Sequence, residues 1–128
     1  MTKIATDADF SLTMTQREEH LIYFQEESGA IREVIVVGDK ATLTPTPVAT
    51  DAKNGTPITS FSGSARVRPR NEEIHVFYIN TKDQLQELIR DADGSPWESL
   101  PPSFSPEKND LSVGLKICGY CVDEIDGT

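Results

Sequence analysis

Apolar and polar residues alternate with a period of two in three stretches of the chain, which is the pattern of β-strands with one buried face. These stretches begin at Phe10, Phe61 and Leu111, which lie 51 and 50 residues apart. A strand type that recurs at a nearly fixed interval of about 50 residues predicts an imperfect repeat, with a period typical of propeller blades.

A second pattern repeats inside each interval, as two apolar strands joined by a polar turn. The strands are predicted at residues 21–25 and 30–37 in the first interval and at 75–79 and 84–89 in the second. A shift of 54 residues places Ile22 on Val76 and Glu33 on Glu87. The two intervals therefore share one hairpin.

Fourth strands are indicated at residues 41–44 and 97–100, each followed by a linker that contains two prolines. Each unit is then a four-stranded meander, which is the architecture of a propeller blade. We therefore expect an all-β fold of two four-stranded antiparallel blades plus a partial third. The expected organisation is a single domain over residues 1–128, with repeat units at about 10–57, 58–107 and 108–128.

One segment of the second unit also carries helix signals. Thr81 and Gln84 match a capping box, and Gly94 would end a helix that runs to Asp93. The equivalent part of the first unit contains the β-branched run 35–37, which favours a strand. The repeat therefore predicts a hairpin, whereas a helix would replace the propeller by an α+β domain.

Composition and charge exclude several classes of partner. The chain has 128 residues and a formal net charge of −9, which repels nucleic acid and anionic membrane surfaces. No apolar stretch approaches the roughly 20 residues that span a bilayer. The first ten residues contain no apolar core of a secretory signal, so we expect a cytoplasmic protein or one exported without a signal peptide.

The blade pattern has a recognisable order of residues. In the second unit it reads as an aromatic-rich strand at 75–79, then Leu85-Gln-Glu87, Asp93-Gly94 and Trp97; in the first it reads Tyr23-Phe24-Gln25, Ile31-Arg-Glu33 and Gly38-Asp39. This pattern resembles the fungal and bacterial fucose-specific lectins of the Aleuria aurantia type, which are six-bladed propellers. The resemblance covers roughly residues 10–117.

The resemblance implies a sugar site between adjacent blades, where an Arg and a Glu hold the hydroxyls and an aromatic ring lies against the apolar face. On that basis Glu33 and Glu87 correspond to the Glu, and Trp97 corresponds to the aromatic residue. The Arg, which should stand twelve residues before the Glu, is replaced by Leu21 and by His75. The Trp expected near residues 40–41 is also missing. Because His75 stands at the position of the Arg in the second unit, we expect it to act in place of that Arg.

The resulting functional hypothesis is a non-catalytic carbohydrate-binding module that takes fucosylated glycans and needs no cofactor. Its rival is a degenerate propeller scaffold that binds a protein partner and no sugar. The sequence contains no nucleophilic triad context and no Gly-rich phosphate loop, so we do not expect an enzyme.

Cys118 and Cys121 form a C-x-x-C motif, a spacing that also occurs in reactive dithiols and in zinc sites. The thiols follow an alternating strand instead of opening a helix, and the only two His residues are far away in sequence. We expect structural cysteines and no metal, with a redox dithiol as the alternative.

Two blades and a fraction cannot close a propeller, because stacked repeats need at least about three units to bury a core. We therefore expect a homo-oligomer, with a trimer favoured because three copies of two blades would give six. A fragment of a longer protein is the competing explanation.

Overall fold

The computed structural model describes residues 3–5, 8–64 and 72–104, and the expected third unit with Cys118 and Cys121 lies outside these residues. The described part contains eight strands in two four-stranded antiparallel sheets. The first sheet has the order β1-β2-β3-β4 and the second the order β5-β6-β7-β8. The predicted all-β fold with two four-stranded blades is confirmed. The strands are β1 (Phe10–Met14), β2 (His20–Gln25), β3 (Ile31–Val37), β4 (Lys40–Leu43), β5 (Ile58–Ser64), β6 (Glu72–Ile79), β7 (Leu85–Asp91) and β8 (Glu98–Phe104).

The segment with helix signals is a hairpin, as the repeat predicts. Strand β7 pairs with β6 from Ile79 opposite Leu85 to Glu73 opposite Asp91. The side-chain oxygen of Asn80 accepts hydrogen bonds from the backbone N–H groups of residues 82 and 84. Such a local bond stabilises a turn instead of the first turn of a helix.

The second sheet ends differently from the prediction. Strand β8 continues through Pro101 and Pro102, which were expected in a linker. Proline cannot donate to a strand ladder, but it is tolerated on an edge strand. The β7–β8 pairing shifts register between Leu85 and Glu87, which accommodates the irregular strand.

The core lies between the two sheets. Odd-numbered residues of β2 and β3 face even-numbered residues of β6 and β7, because side chains alternate along each strand. Leu21, Tyr23 and Ile31 are fully buried on one side, and Ile74, Val76 and Tyr78 are buried on the other. The inner faces of the two sheets therefore supply the main hydrophobic cluster.

The two sheets form a wedge. The backbones of β1 and β5 run beside each other, whereas β3 and β7, like β4 and β8, lie apart. Hydroxyl side chains fill the narrow edge, where Ser11 and Thr13 both bond Ser60. The sheets diverge from this edge outwards.

The connection from β4 to β5 is held by the side chain of Gln25, the last residue of β2. The amide of Gln25 donates to the carbonyls of Gly29 and Lys53, and its oxygen accepts from the N–H of Gly55.

Within residues 3–5, 8–64 and 72–104 there is no helix that is long and apolar enough to cross a membrane.

Candidate functional site

A cleft of about 660 Å³ opens where the two sheets diverge. Glu33 and Ile35 of β3, with Thr44 beyond β4, line the wall on the first sheet. Arg90 of β7 and Trp97 before β8 line the wall on the second. The cleft is therefore bounded by both blades and belongs to one chain.

The carboxylate of Glu33 is the centre of a hydrogen-bond network. Tyr23 lies opposite Glu33 in the β2–β3 ladder, and its hydroxyl donates to Oε2 over 2.7 Å. The hydroxyl of Thr44 donates to Oε1 over 3.0 Å. Arg90 donates from Nη2 to Oε2 over 2.9 Å. Because Arg90 comes from the other sheet, this ion pair ties the two blades together.

The pair is almost completely buried, with side-chain exposures of 3% for Glu33 and 6% for Arg90. Trp97 covers it from the cleft side, with the guanidinium carbon of Arg90 5.1 Å from the ring centroid. The indole also meets the ring of Tyr23 edge-on, at a centroid distance of 6.0 Å. Arg90 thus lies against both a carboxylate and an aromatic ring, in a geometry that supports a cation–π contact.

The surroundings fix the charge states of these groups. Burial, followed by the negative charge of Glu33 and the hydrogen bond to it, raises the pKa of Tyr23 far above its usual range. Burial alone would lower the pKa of Arg90, but the charge of Glu33 and the hydrogen bond to it outweigh burial and raise that pKa. At neutral pH Tyr23 is therefore a neutral donor and Arg90 a cation.

The four residues expected to bind a ligand lie at two separate places. Glu33 and Trp97 line the cleft, whereas His75 and Glu87 pair with each other on the opposite face of the second sheet. The Nδ1 atom of His75 is 2.7 Å from Oε2 of Glu87. The described chain thus brings together one acid and one aromatic residue from the predicted set in its cleft.

Arg90 and Tyr23 were not among the site residues predicted from the sequence. The lectin resemblance placed the arginine twelve residues before the glutamate, where the chain has Leu21, a core residue that is 1% exposed. The cation comes instead from the following unit, 57 residues after Glu33. The sequence did contain one indication of Arg90. It lies two residues after Leu88 and therefore on the buried face of β7, where a cation needs a carboxylate partner.

The cleft can recognise a polyhydroxylated ligand with an apolar face. A carboxylate accepts from hydroxyls, a guanidinium donates in a fixed geometry, and an indole offers a surface to C–H groups. No three His, Cys, Asp or Glu side chains among residues 3–5, 8–64 and 72–104 converge as ligands for a metal ion.

No protein-family model and no curated protein matches the sequence. Solved structures do match the fold. A mutant of the Aleuria aurantia lectin in complex with Fucα1-6GlcNAc has a TM-score of 0.66 and 22% sequence identity over 80% of this chain. The fucose-specific lectin from Aleuria aurantia in a mercury derivative has a TM-score of 0.63 and 22% identity over 91% of this chain.

A mutant of AofleA from Arthrobotrys oligospora is also similar, with a TM-score of 0.60 and 18% identity over 76% of this chain. The chain spans 32% and 35% of the two Aleuria lectin chains and 27% of AofleA. The match therefore covers about a third or less of each of these chains. The two sheets described above have the blade fold of the Aleuria aurantia-type lectins.

Proposed function

We propose that the chain is a non-catalytic carbohydrate-binding module of the lectin type and that the cleft between its two blades takes fucose or a fucose-like sugar. The observation that carries this proposal is the convergence of Glu33, Arg90 and Trp97 on one interblade cleft. The fucose ligands of the Aleuria lectin structures support the choice of sugar.

The proposed site differs from the site that the lectin resemblance implies. A buried leucine occupies the position of the expected arginine, and Arg90 approaches Glu33 from the opposite wall. The acid and the cation expose little surface, whereas Trp97 is only half buried. We therefore assign most of the contact with a sugar to Trp97, with the charged pair bonding hydroxyls at the bottom of the cleft.

The rival function is a scaffold for protein interaction without sugar binding. It is favoured by one observation, which is that the carboxylate of Glu33 already accepts hydrogen bonds from Tyr23, Thr44 and Arg90. A carboxylate with these partners can serve mainly to join the blades.

The test uses the intrinsic fluorescence of Trp97, because the chain contains one tryptophan and that residue lines the cleft. Titration with α-methyl-L-fucoside is expected to change the emission with a saturating curve. On a fucosylated glycan array, Trp97→Ala should lower the affinity at least about tenfold, since a central aromatic contact carries much of the energy of a binding site.

The matched control is Trp97→Phe, which keeps an aromatic surface and should retain part of the binding. An unchanged circular dichroism spectrum would show that both variants are folded. No fluorescence response and no array signal with the unmodified chain would contradict the lectin proposal and favour the scaffold.

We also propose that the chain assembles as a homotrimer, in which three copies of two blades complete a six-bladed ring. The ring is supported by the two blades in the described part and by the share of about one third that the chain has of the Aleuria lectin. Light scattering coupled to gel filtration should then give three times the 14.1 kDa of one chain. A mass of one chain at high protein concentration would overturn the ring.

A further inference from the structure

The outer faces of the two sheets have no partner within the described chain. The face of the first sheet that points away from the core is called the back face, and the corresponding outer face of the second sheet is called the front face. The back face carries Phe10, Leu12, Met14, Ile22, Val34 and Leu43. Its first three residues are 69%, 58% and 57% exposed. The front face carries Phe61, His75, Phe77, Glu87 and Ile89.

The contact inside the chain is a template for how these two faces fit. A shift of 54 residues carries Tyr23 and Glu33, which face the core on the first sheet, onto Phe77 and Glu87 of the front face. The same shift relates Ile22 of the back face to Val76, which packs in the core. A front face of one copy and a back face of another thus repeat the contact that already joins the two blades.

The contact inside the chain and the proposed contact between copies differ at one equivalent position. Inside the chain, Glu33 is neutralised across the interface by Arg90. The residue equivalent to Arg90 on the back face is Val36, which cannot neutralise Glu87. The template therefore leaves the carboxylate of the front face without a cation from the opposite side.

The front face carries an imidazole beside its carboxylates instead. His75 lies between two carboxylates, with Nδ1 2.7 Å from Glu87 and Nε2 3.3 Å from Glu73. Its ring stacks on Phe61 at a centroid distance of 4.7 Å. An ionised carboxylate only accepts hydrogen bonds, so both contacts are satisfied when both ring nitrogens carry a proton.

We propose that the front face docks on the back face of a second copy and that the cluster of Glu73, His75 and Glu87 makes this seam depend on a proton. The inference rests on the proposed ring and names the surface that closes it. In the free chain, the side chains of Glu73 and Glu87 each keep 14% of their surface exposed, and water reaches the carboxylates there. In the seam, apolar side chains of the back face such as Val36 cover them, and a carboxylate buried without a cation is strongly unfavourable.

Other charged groups border the seam. On the same side of the second sheet, Asp91 of β7 and Glu98 of β8 add negative charge, and the described side chains of β5 carry none. The second copy would contribute His20 and Arg32 from its back face. Arg32 is already engaged by Glu26 at 3.6 Å and by the carbonyl of residue 44. The other imidazole, His20, must therefore be tested separately.

The experiment measures the molar mass of the full chain by sedimentation at constant ionic strength, from about pH 5.5 to 8.5, the range in which imidazole changes its charge. Association should be strong at the lower end and weaken as pH rises. With one proton held per seam, the association constant falls by at most about tenfold per pH unit for each seam.

Two variants place residues of the contact inside the chain at the equivalent positions of the proposed seam. His75→Leu inserts the residue found at the equivalent position 21 and should weaken association at the lower end of the pH range, because the carboxylates lose the cation that the unmodified seam holds there. Adding Val36→Arg supplies the cation that Arg90 supplies inside the chain and should restore association without the pH dependence. His20→Gln is the control and should leave the pH dependence in place.

A trimeric mass that does not change with pH would overturn the proton dependence while the ring stands. Loss of the pH dependence in His20→Gln would also overturn it, and a monomer at every pH would remove both the seam and the ring. Trp97 fluorescence with α-methyl-L-fucoside, recorded on the same samples, reports sugar binding separately because the cleft lies within one copy.

Discussion

At the scale of single residues, Glu33 illustrates what one side chain does in this fold. Its carboxylate joins a strand partner, a loop hydroxyl and a cation of the other sheet in one buried network. Removal of one partner from a buried ion pair typically costs about 3–5 kcal/mol, because the other charge is left uncompensated. The resemblance to the lectin pattern identified Glu33 in the sequence, but its partner Arg90 is 57 residues away and is recognised once the sheets are packed together.

Two buried tyrosines predict an alkaline limit to stability. Burial and nearby carboxylates raise the pKa of Tyr23 and of Tyr78, whose hydroxyl donates to Asp51 over 2.6 Å. In the unfolded chain each ionises near its ordinary value of 10.0, so the folded state holds protons that the unfolded state releases. The free energy of unfolding should therefore be unaffected by these groups below pH 10 and fall as pH rises above it.

Tyrosinate absorbance and far-ultraviolet circular dichroism, recorded together during an alkaline titration, check this expectation. Ionisation of these tyrosines should coincide with the loss of the β-sheet signal. The variant Tyr78→Phe should reduce the steepness of the loss of stability with pH. Full ionisation of Tyr23 and Tyr78 while the β-sheet signal stays native would contradict it.

At the scale of elements, most strands follow from the alternation of apolar and polar residues, and the exceptions have local causes. The segment after Thr81 forms a strand in spite of its helix signals, because Asn80 stabilises a turn and β7 pairs with β6. The strand through Pro101 and Pro102 could not be predicted from propensity, since an edge position is needed to tolerate proline and the sequence does not show which strand is at the edge.

The β1–β2 turn offers a test at the same scale. Glu18 has a positive φ of 62°, in the left-handed region that costs a non-glycine residue about 1–2 kcal/mol. Glu18→Gly should raise the free energy of unfolding by about 0.5–1 kcal/mol after the added flexibility of the unfolded chain is included. Urea unfolding followed by circular dichroism measures the change.

The matched control is Gln16→Gly in the same turn, where φ is not positive. Glycine brings no relief there and should lower the free energy of unfolding by about 0.5–1 kcal/mol. Equal effects of the two substitutions would refute the assignment of strain to Glu18.

At the scale of the whole molecule, the repeat predicts equivalent positions but not equivalent surroundings. Glu33 and Glu87 match in the repeat, yet one lies inside the chain and the other on an outer face. Their partners differ for this reason, since the first bonds Arg90 across the interface and the second bonds His75 within the same sheet. The site could be predicted as far as the repeat extends, and the residues that distinguish one interface from another required the packed structure.

The narrow edge of the wedge also determines the curvature of any assembly. Ser11, Thr13 and Ser60 let β1 and β5 approach, while larger side chains hold the sheets apart towards the cleft. The angle between successive sheets fixes how many of them complete a full turn. Bulkier residues at these three positions would flatten that angle, and head-to-tail contacts that no longer close on themselves generate open filaments.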